Sequence, residues 1–307
     1  MSRSFISLVI LCLSLCVYGQ EQADDLLKRG LRSHESGNFA AAIEDFSRVI
    51  ELTSTLKTNG SPSQRNFAET PDEAAQRESI RVLDPRTAAA YLYRGNTYFF
   101  MGKIDDALDD YEKALRIAPG MAEGYSCRGG VWLIKQDYDR AITEFRRAIK
   151  LNRGLIKAHL GLAVALLGKG EAKNAMAAFD ETAAMAPRNA EVFHRRGEAK
   201  QATGDHAGAL ADYELAIKLD PNYVGAFFGR GKLRYAQYDF DCAIKDLTRA
   251  IELDPRLPTT FMIRGFALLM QRKDAEAERD FKQAIELMPS VQAEINDGVK
   301  KIKEIRK

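Results

Sequence analysis

The sequence predicts an all-α solenoid of seven helix-turn-helix repeats followed by a C-terminal capping helix. Three observations predict it: an unbroken 34-residue period, small residues at fixed positions of each period, and a proline near the end of most periods. The 307 residues are 46% hydrophobic and 29% charged, and the net charge is +2. This composition is typical of a soluble folded chain. The interspersed charges indicate no nucleic-acid or anionic-membrane partner.

Six of the repeats follow one another without a gap. They begin at Ala88, Ala122, Ile156, Ala190, Val224 and Pro258. Position 20 of each repeat is alanine: Ala107, Ala141, Ala175, Ala209, Ala243 and Ala277. Position 24 is large and apolar: Tyr111, Phe145, Phe179, Tyr213, Leu247 and Phe281. Small residues let two helices approach closely while the large ones fill the space beside them, and proline at position 32 ends the second helix.

This pattern resembles the tetratricopeptide repeat (TPR) family, whose repeat has an aromatic residue at positions 4 and 24, glycine at 8, alanine at 20 and 27, and proline at 32. The resemblance implies a TPR superhelical solenoid. An earlier repeat begins at Ala23 and places Gly30 and Phe46 at positions 8 and 24. The predicted organisation is therefore TPR 1 over 20–54, TPR 2 to TPR 7 over 88–291 and a capping helix over 292–307. An inserted loop, disordered or partly helical, is predicted over 55–87.

Residues 1–19 have the layout of a cleaved secretory signal peptide. Arg3 precedes an apolar run from Phe5 to Val17, and Gly19 supplies a small residue at the cleavage site. A run of this length covers roughly 20 Å as a helix, which is short of the roughly 30 Å membrane core. We expect export to the periplasm, the exterior or a secretory lumen, without stable membrane insertion after cleavage. An uncleaved membrane anchor is the alternative.

An arginine at position 7 and an acidic residue at position 23 occur together in six repeats. The arginines are Arg29, Arg94, Arg128, Arg196, Arg230 and Arg264. Their acidic counterparts are Asp45, Asp110, Glu144, Asp212, Asp246 and Asp280. The fourth repeat lacks both and has Leu162 and Ala178 instead. This joint loss predicts an ion pair between the two helices of a repeat, because one partly buried charge alone would cost about 1–3 kcal/mol.

No residue pattern indicates an enzyme. The chain has no glycine-rich phosphate loop, no HExxH metal motif and no GxSxG nucleophile elbow. Cys127 and Cys242 lie in repeats 3 and 6, too far apart to form a disulfide, so both are expected to be free thiols. We therefore expect no catalytic residues, no metal and no cofactor.

The TPR resemblance implies a partner-binding groove on the concave side, formed by positions 2, 5, 9, 12 and 13 of the first helices. The candidate groove residues are Leu92, Asn96, Phe99, Leu160, Val164, His194, Glu198, Phe228, Lys232, Tyr235, Met262 and Phe266. Phe100, Ile134, Leu167 and Leu269 stand at the same positions, either in the groove or buried against a neighbouring repeat. Two apolar stretches are separated by polar residues of repeat 5, and an exposed apolar groove usually marks a protein contact.

The function predicted from these features is that of a non-enzymatic scaffold or adaptor, which binds a partner peptide or helix in the concave groove. The alternative is a structural subunit that mediates self-association or assembly of a cell-envelope complex, and a homo-oligomer is possible. The carboxylate clamp of chaperone-binding family members is not expected, because only Asn96 and Lys157 match its five residues. The sequence leaves the partner unidentified.

Overall fold

The computed structural model describes residues 21–55 and 85–306, and these residues form fifteen α-helices and no strand. The first repeats comprise 21–35 (α1), Phe39–Thr55 (α2), Pro85–Phe100 (α3), Ile104–Ile117 (α4), Ala122–Ile134 (α5), Tyr138–Leu151 (α6), Ile156–Gly168 (α7) and Ala172–Met185 (α8). The later ones comprise Ala190–Ala202 (α9), His206–Leu219 (α10), Val224–Ala236 (α11), Phe240–Leu253 (α12), Pro258–Met270 (α13) and Asp274–Leu287 (α14). A 3₁₀ turn, Pro289–Val291, leads into the last helix, Gln292–Ile305 (α15). The all-α repeat solenoid predicted from the sequence is confirmed.

The predicted signal peptide and most of the predicted loop over 55–87 lie outside the described residues. At the edges of that loop the helices extend further than predicted, since α2 includes Thr55 and α3 begins at Pro85. The chain divides into two units, Met1–Gly161 and Leu162–Lys307. In the first unit α3 packs on α4 and α5 on α6, and in the second α9 packs on α10, α11 on α12 and α13 on α14. Second helices also pack on the following first helix, as α2 does on α3 and α12 on α13.

A residue in the left-handed backbone region ends each first helix. Four repeats use glycine there, namely Gly37, Gly102, Gly170 and Gly204, with φ between 74° and 88°. The other three use side chains that adopt this region at a cost: Gln136 (φ 58°), Tyr238 (φ 63°) and Arg272 (φ 61°). One residue later an aspartate at 137, 205 or 239 accepts a hydrogen bond from a backbone N–H of the second helix. The three residues between the first and second helices of a repeat thus reverse the direction of the chain.

Glycines hold the large residue at position 24 between helices. A Cβ atom on Gly129 would lie 2.9 Å from Phe145 of the same repeat, and one on Gly161 would lie 2.3 Å from the same ring. Tyr213 is enclosed in the same way by Gly197 and Gly229, at 2.9 Å and 2.8 Å. A Cβ atom cannot approach a ring so closely, so the observed spacing of these helices requires glycine at these positions.

All six predicted ion pairs are formed, and that prediction is confirmed. Arg94, for example, donates from Nε and Nη2 to the two carboxylate oxygens of Asp110 at 2.7 Å and 2.8 Å. The pairs of Arg196, Arg230 and Arg264 have the same two-bond geometry, and Arg128 bonds Glu144 at 2.9–3.1 Å. Arg29 makes the corresponding pair with Asp45. The aspartates are buried, so their charges need the arginines, and Asp212 and Asp246 have a second cation each, Lys200 and Arg234 at 2.8 Å.

Several of these arginines also join consecutive repeats. Arg94 donates to Ser47 of the preceding second helix at 2.9 Å, and Arg264 donates to Thr248 at 3.1 Å. The guanidinium of Arg94 also lies 5.4 Å from the ring centroid of Tyr91, the aromatic at position 4. Equivalent contacts recur in repeats 3, 5, 6 and 7 at 5.3–6.0 Å. The arginine at position 7 therefore contacts both helices of its own repeat. Arg94 and Arg264 also contact the second helix of the preceding repeat.

The C-terminal helix covers the last repeat. Ile295 and Ile302 of α15 are buried in one cluster with Met262 and Phe266 of α13. Gly298 allows close contact, because a Cβ atom there would lie 2.5 Å from Phe266. The far end of α15 is fixed by Arg306, whose guanidinium lies 2.7 Å from the carboxylate of Asp274.

Both cysteines of the described residues are free thiols, as predicted. Desolvation raises the pKa of Cys127 to about 11, so its thiol stays protonated at neutral pH. Over 21–55 and 85–306 no helix combines the length and the apolar character that crossing a membrane requires.

Candidate partner-binding surface

The N-terminal unit exposes an apolar surface where its first helices end. Phe100 is 68% exposed at the end of α3, and Met101 beside it is also exposed. The ring of Phe100 packs edge-on against His34 at 5.1 Å and against Phe99 at 6.5 Å. Ile134, 53% exposed, holds the same repeat position on α5, which contacts α3. We call His34, Phe99, Phe100, Met101 and Ile134 the N-terminal apolar patch.

The patch is supported by polar contacts beneath it. Nδ1 of His34 lies 3.1 Å from the hydroxyl oxygen of Thr97, so the first repeat is joined to α3 at this point. On the residue directly before Thr97, the amide oxygen of Asn96 accepts a hydrogen bond from the hydroxyl of the buried Tyr111 at 2.9 Å. These bonds fix the side chains around the patch without covering Phe100.

Five of the twelve candidate groove residues are buried, so for them the prediction of an accessible groove side chain is wrong. They are Leu92, Leu160, His194, Met262 and Phe266. Leu269, which shares their groove positions, is buried as well. α15 packs on Met262 and Phe266, which explains the burial of the C-terminal apolar stretch. Leu92 belongs to the core around Tyr111.

The other seven candidates remain at the surface to different degrees. Asn96 and Phe99 are half-buried in the N-terminal unit, as are Phe228 and Tyr235 in the C-terminal unit. Val164, Glu198 and Lys232 are exposed. Glu198 is already paired, since Arg195 lies 3.0 Å from its carboxylate. The two charged residues lie on α9 and α11, which contact each other, so the C-terminal unit presents a polar surface.

His194 is enclosed by the following repeat. Its Nδ1 lies 3.4 Å from the hydroxyl of Tyr223, and Gly225 leaves the space that its ring fills. Glu198 approaches the other ring nitrogen to 3.7 Å. Burial lowers the pKa of His194, although Glu198 and Glu191 act in the opposite direction. The residue is therefore a neutral interior histidine at neutral pH.

This burial predicts a pH-dependent stability. Because the folded-state pKa of His194 lies below its unfolded value of about 6.5, the unfolded chain binds more protons as the pH falls through 6.5. We expect the urea midpoint to fall between about pH 7.5 and about pH 5.5, and to fall less in His194→Gln. The comparison isolates His194, since His34, His159 and His206 remain in both proteins. Equal slopes for the two proteins would contradict the assignment.

Sequence reasoning missed three surface residues, of which Tyr238 and Met101 are exposed and His34 is half-buried. Tyr238 is the most exposed large hydrophobic residue of the described chain, at 76%. Its signal was a bulky side chain at a turn position where four other repeats have glycine. Met101 follows directly on Phe100, and His34 holds position 12 of the first repeat, which the groove prediction left out. In the described residues no group of three or more His, Cys, Asp or Glu side chains is arranged to hold a metal.

Comparisons with known proteins identify the repeats. Models described as "Tetratricopeptide repeat" match residues 88–121 and 133–194, and a model described as "TPR repeat" matches 197–238. Among curated proteins, serine/threonine-protein phosphatase T of Trypanosoma brucei brucei is 32% identical over 104 residues. That match covers 33% of this chain and only 22% of the relative.

Solved structures show the same fold at low sequence identity. Yeast Tom70 has a TM-score of 0.64 at 20% identity, covering 92% of this chain and 64% of that one. A thermophilic TPR protein of Thermus thermophilus has a TM-score of 0.55 at 20% identity, covering 59% and 99%. A TPR protein of Parabacteroides merdae has a TM-score of 0.54 at 19% identity, covering 81% and 99%. Residues 88–121, 133–194 and 197–238 therefore match tetratricopeptide repeats, and the chain has the TPR solenoid fold.

Proposed function

We propose that this protein is a non-enzymatic scaffold or adaptor that binds an apolar segment of a protein partner through the N-terminal apolar patch. TPR proteins generally mediate protein–protein interactions, and a fold of this kind leaves the specific role to its surface. The observation that supports the proposal is the exposure of Phe100 and Ile134 at groove positions of adjacent repeats. This proposal includes export of the protein, with the signal peptide cleaved before Gln20. The export is inferred from the sequence pattern of residues 1–19 alone.

The chemistry of the patch favours an apolar ligand. Burying a side chain of the size of phenylalanine or isoleucine stabilises a complex by roughly 1.5–3 kcal/mol. Phe100 and Ile134 can supply such contacts, while Phe99 and His34 already hold the ring of Phe100 in one orientation. A pre-ordered aromatic loses little conformational entropy on binding. A partner helix or extended segment with two or three apolar side chains would fit this arrangement.

Charged groups of the C-terminal unit would add specificity rather than affinity. Glu198 and Lys232 are exposed on neighbouring first helices and carry opposite charges. A rim charge changes the association rate and the choice of partner more than the strength of the complex. We therefore propose that these two residues form a polar contact surface within the C-terminal unit, which influences the choice of partner.

The experiment compares two sets of variants in a cross-linking pull-down from the native host. Phe100→Asp combined with Ile134→Asp should abolish recovery of a stoichiometric partner, because two charges would have to be buried. Leu151→Asp is the matched control, since Leu151 is also an exposed aliphatic residue, 45% exposed, but ends a second helix. Unchanged circular dichroism and melting would show that both proteins fold.

Two outcomes would count against the proposal. Equal loss of the partner in the patch variant and in Leu151→Asp would mean that the contact is not specific to the patch. Recovery of the protein's own chain alone, unaffected by the patch substitutions, would favour the alternative role in self-association or envelope assembly. Sedimentation velocity on the purified protein then measures whether a homo-oligomer forms.

A further inference from the structure

Tyr238 combines high exposure with an unfavourable backbone conformation. It occupies the left-handed turn position of repeat 6, where φ is 63°, and four other repeats have glycine at the equivalent position. A side chain in this region is strained by contact of its Cβ with the backbone, and a bulky one is unusual there. Such strain tends to persist where the side chain serves a function. Packing does not explain Tyr238, because three quarters of it is in solvent.

One aromatic residue contacts the ring of Tyr238, and a second one supports the first. Phe240 meets it edge-on, with centroids 6.1 Å apart and planes at 86°. Phe240 in turn lies 5.8 Å from Tyr235, which is half-buried in the groove face of α11. An edge-to-face contact covers at most one face of a ring, so at least one face of Tyr238 is left open by Phe240. The three residues form a platform whose outermost ring is fixed and accessible.

Elsewhere this chain places its own cations over half-buried aromatic rings. Arg140 lies 4.5 Å from the ring centroid of Trp132, and Lys103 lies 5.7 Å from that of Tyr98. Within 21–55 and 85–306 no arginine or lysine is found in this position over Tyr238. The most exposed aromatic residue therefore lacks the partner that less exposed ones have. An open tyrosine face attracts ammonium and guanidinium groups through its quadrupole.

Carboxylates close to Tyr238 in the sequence match the same kind of ligand. Asp239 follows Tyr238 directly, and Asp241 lies two residues further on, both exposed. Asp241 accepts one hydrogen bond from Gln271 at 2.7 Å through Oδ1, which leaves Oδ2 to a ligand. Lys232, the exposed cation nearest in sequence on the groove face, lies almost two helical turns before Tyr238 on α11. Two other cations lie near this turn: Arg234, which is paired with Asp246 at 2.8 Å, and Lys245, one helical turn after Asp241 on α12. The turn itself carries aromatic residues and carboxylates.

We propose that Tyr238 is a docking point for a cationic side chain of a protein partner, with its ring stacking on a guanidinium and Asp241 accepting its hydrogen bonds. Arginine suits this arrangement better than lysine, because its planar group can stack and donate at once. The site lies in the C-terminal unit and shares no residue with the N-terminal apolar patch. Its test is therefore independent of the function proposed above.

The test is an NMR titration of the full chain with an acetylated Gly-Arg-Gly-Arg-Gly peptide, run beside the same peptide with glutamine in place of arginine. We expect saturable shifts of the Tyr238 ring resonances with the arginine peptide alone. Tyr238→Gly should weaken binding by about two- to fivefold, and Tyr238→Phe should retain it, because the interaction uses the ring. Asp241→Asn should weaken binding without abolishing it, since the ring contact remains.

Loss of binding in Tyr238→Gly cannot be attributed to unfolding, because the substitution removes backbone strain at position 238. Tyr238→Gly relieves the left-handed backbone, so this variant should melt no lower than the parent protein. Gln136→Gly is the matched control, because it makes the same change at the equivalent position of repeat 3 and should leave peptide binding unchanged. Equal shifts with the two peptides, or full affinity in Tyr238→Gly, would overturn the proposal.

Discussion

Replacing Asp280 with alanine is expected to lower the free energy of unfolding by about 3 kcal/mol. Asp280 is buried and accepts two hydrogen bonds from Arg264, at 2.8 Å and 2.7 Å. Removing the carboxylate leaves a largely buried guanidinium with only Thr248 and the ring of Phe261 as partners. This value stands at the lower end for a buried pair, because the arginine retains some contact with water. Urea unfolding followed by circular dichroism measures the change.

The fourth repeat provides the matching double variant. Arg264→Leu combined with Asp280→Ala installs the pair that repeat 4 uses naturally, Leu162 and Ala178. Because both charges are then removed together, the double variant should be more stable than Asp280→Ala. Arg249→Leu is the control: its pair with Glu252 is exposed, so it should change stability by less than about 1 kcal/mol. Strictly additive effects of the two substitutions would contradict the coupling. The same cycle on Arg196 and Asp212 is less clean, because Asp180 and Lys200 also take part.

The second large effect is expected at Gly161. A Cβ atom there would lie 2.3 Å from the ring of Phe145, and a Cβ atom on Gly129 would lie 2.9 Å from the same ring. Because the Phe145 ring already packs closely against both glycines, Gly161→Ala should lower the free energy of unfolding by about 2 kcal/mol. The effect is opposite to the usual gain from replacing a helical glycine with alanine.

Gly130 is the matched control for this prediction. It lies inside α5, with open space where its Cβ would stand. Gly130→Ala should therefore raise stability by up to about 1 kcal/mol, since only the helix propensity changes. The two variants make the same chemical change in one unit, and denaturant unfolding should show shifts of opposite sign. A gain in stability for Gly161→Ala would show that Phe145 can reorient and that the spacing of these helices is not fixed by glycine.

The fold could be predicted from the sequence because the same residue pattern recurs in each repeat. The alanine at position 20 and the large residue at position 24 recur in register, so one interpretation of the period accounts for two thirds of the chain. The ion pairs were predictable for a different reason. The joint loss of Arg and acid in repeat 4 revealed a contact between positions 16 residues apart, which the distances confirm.

Accessibility at the candidate site was much less predictable. The sequence indicates that Phe266 and Phe228 hold groove positions, but burial depends on what packs over them. The glycine at 298 lets α15 lie against Phe266, and this contact is not encoded in the 34-residue period. His194 is buried because Tyr223, outside the groove positions, lies beside its ring. Prediction from repeat position alone fails where a neighbour departs from the pattern.

The fourth repeat also bears on how the chain avoids misfolding. Six repeats carry interchangeable charges, so a first helix could pair with the second helix of the wrong repeat and still satisfy its arginine. Leu162 and Ala178 oppose a complete shift of this kind, because a displacement by 34 residues places each of them opposite a charge and leaves both charges unpaired. The uncharged repeat thereby favours the correct pairing of first and second helices, as a single exceptional residue can fix the register of other repetitive structures. Introducing Arg at 162 and Asp at 178 would give all seven repeats the same charges and remove this preference for the correct pairing.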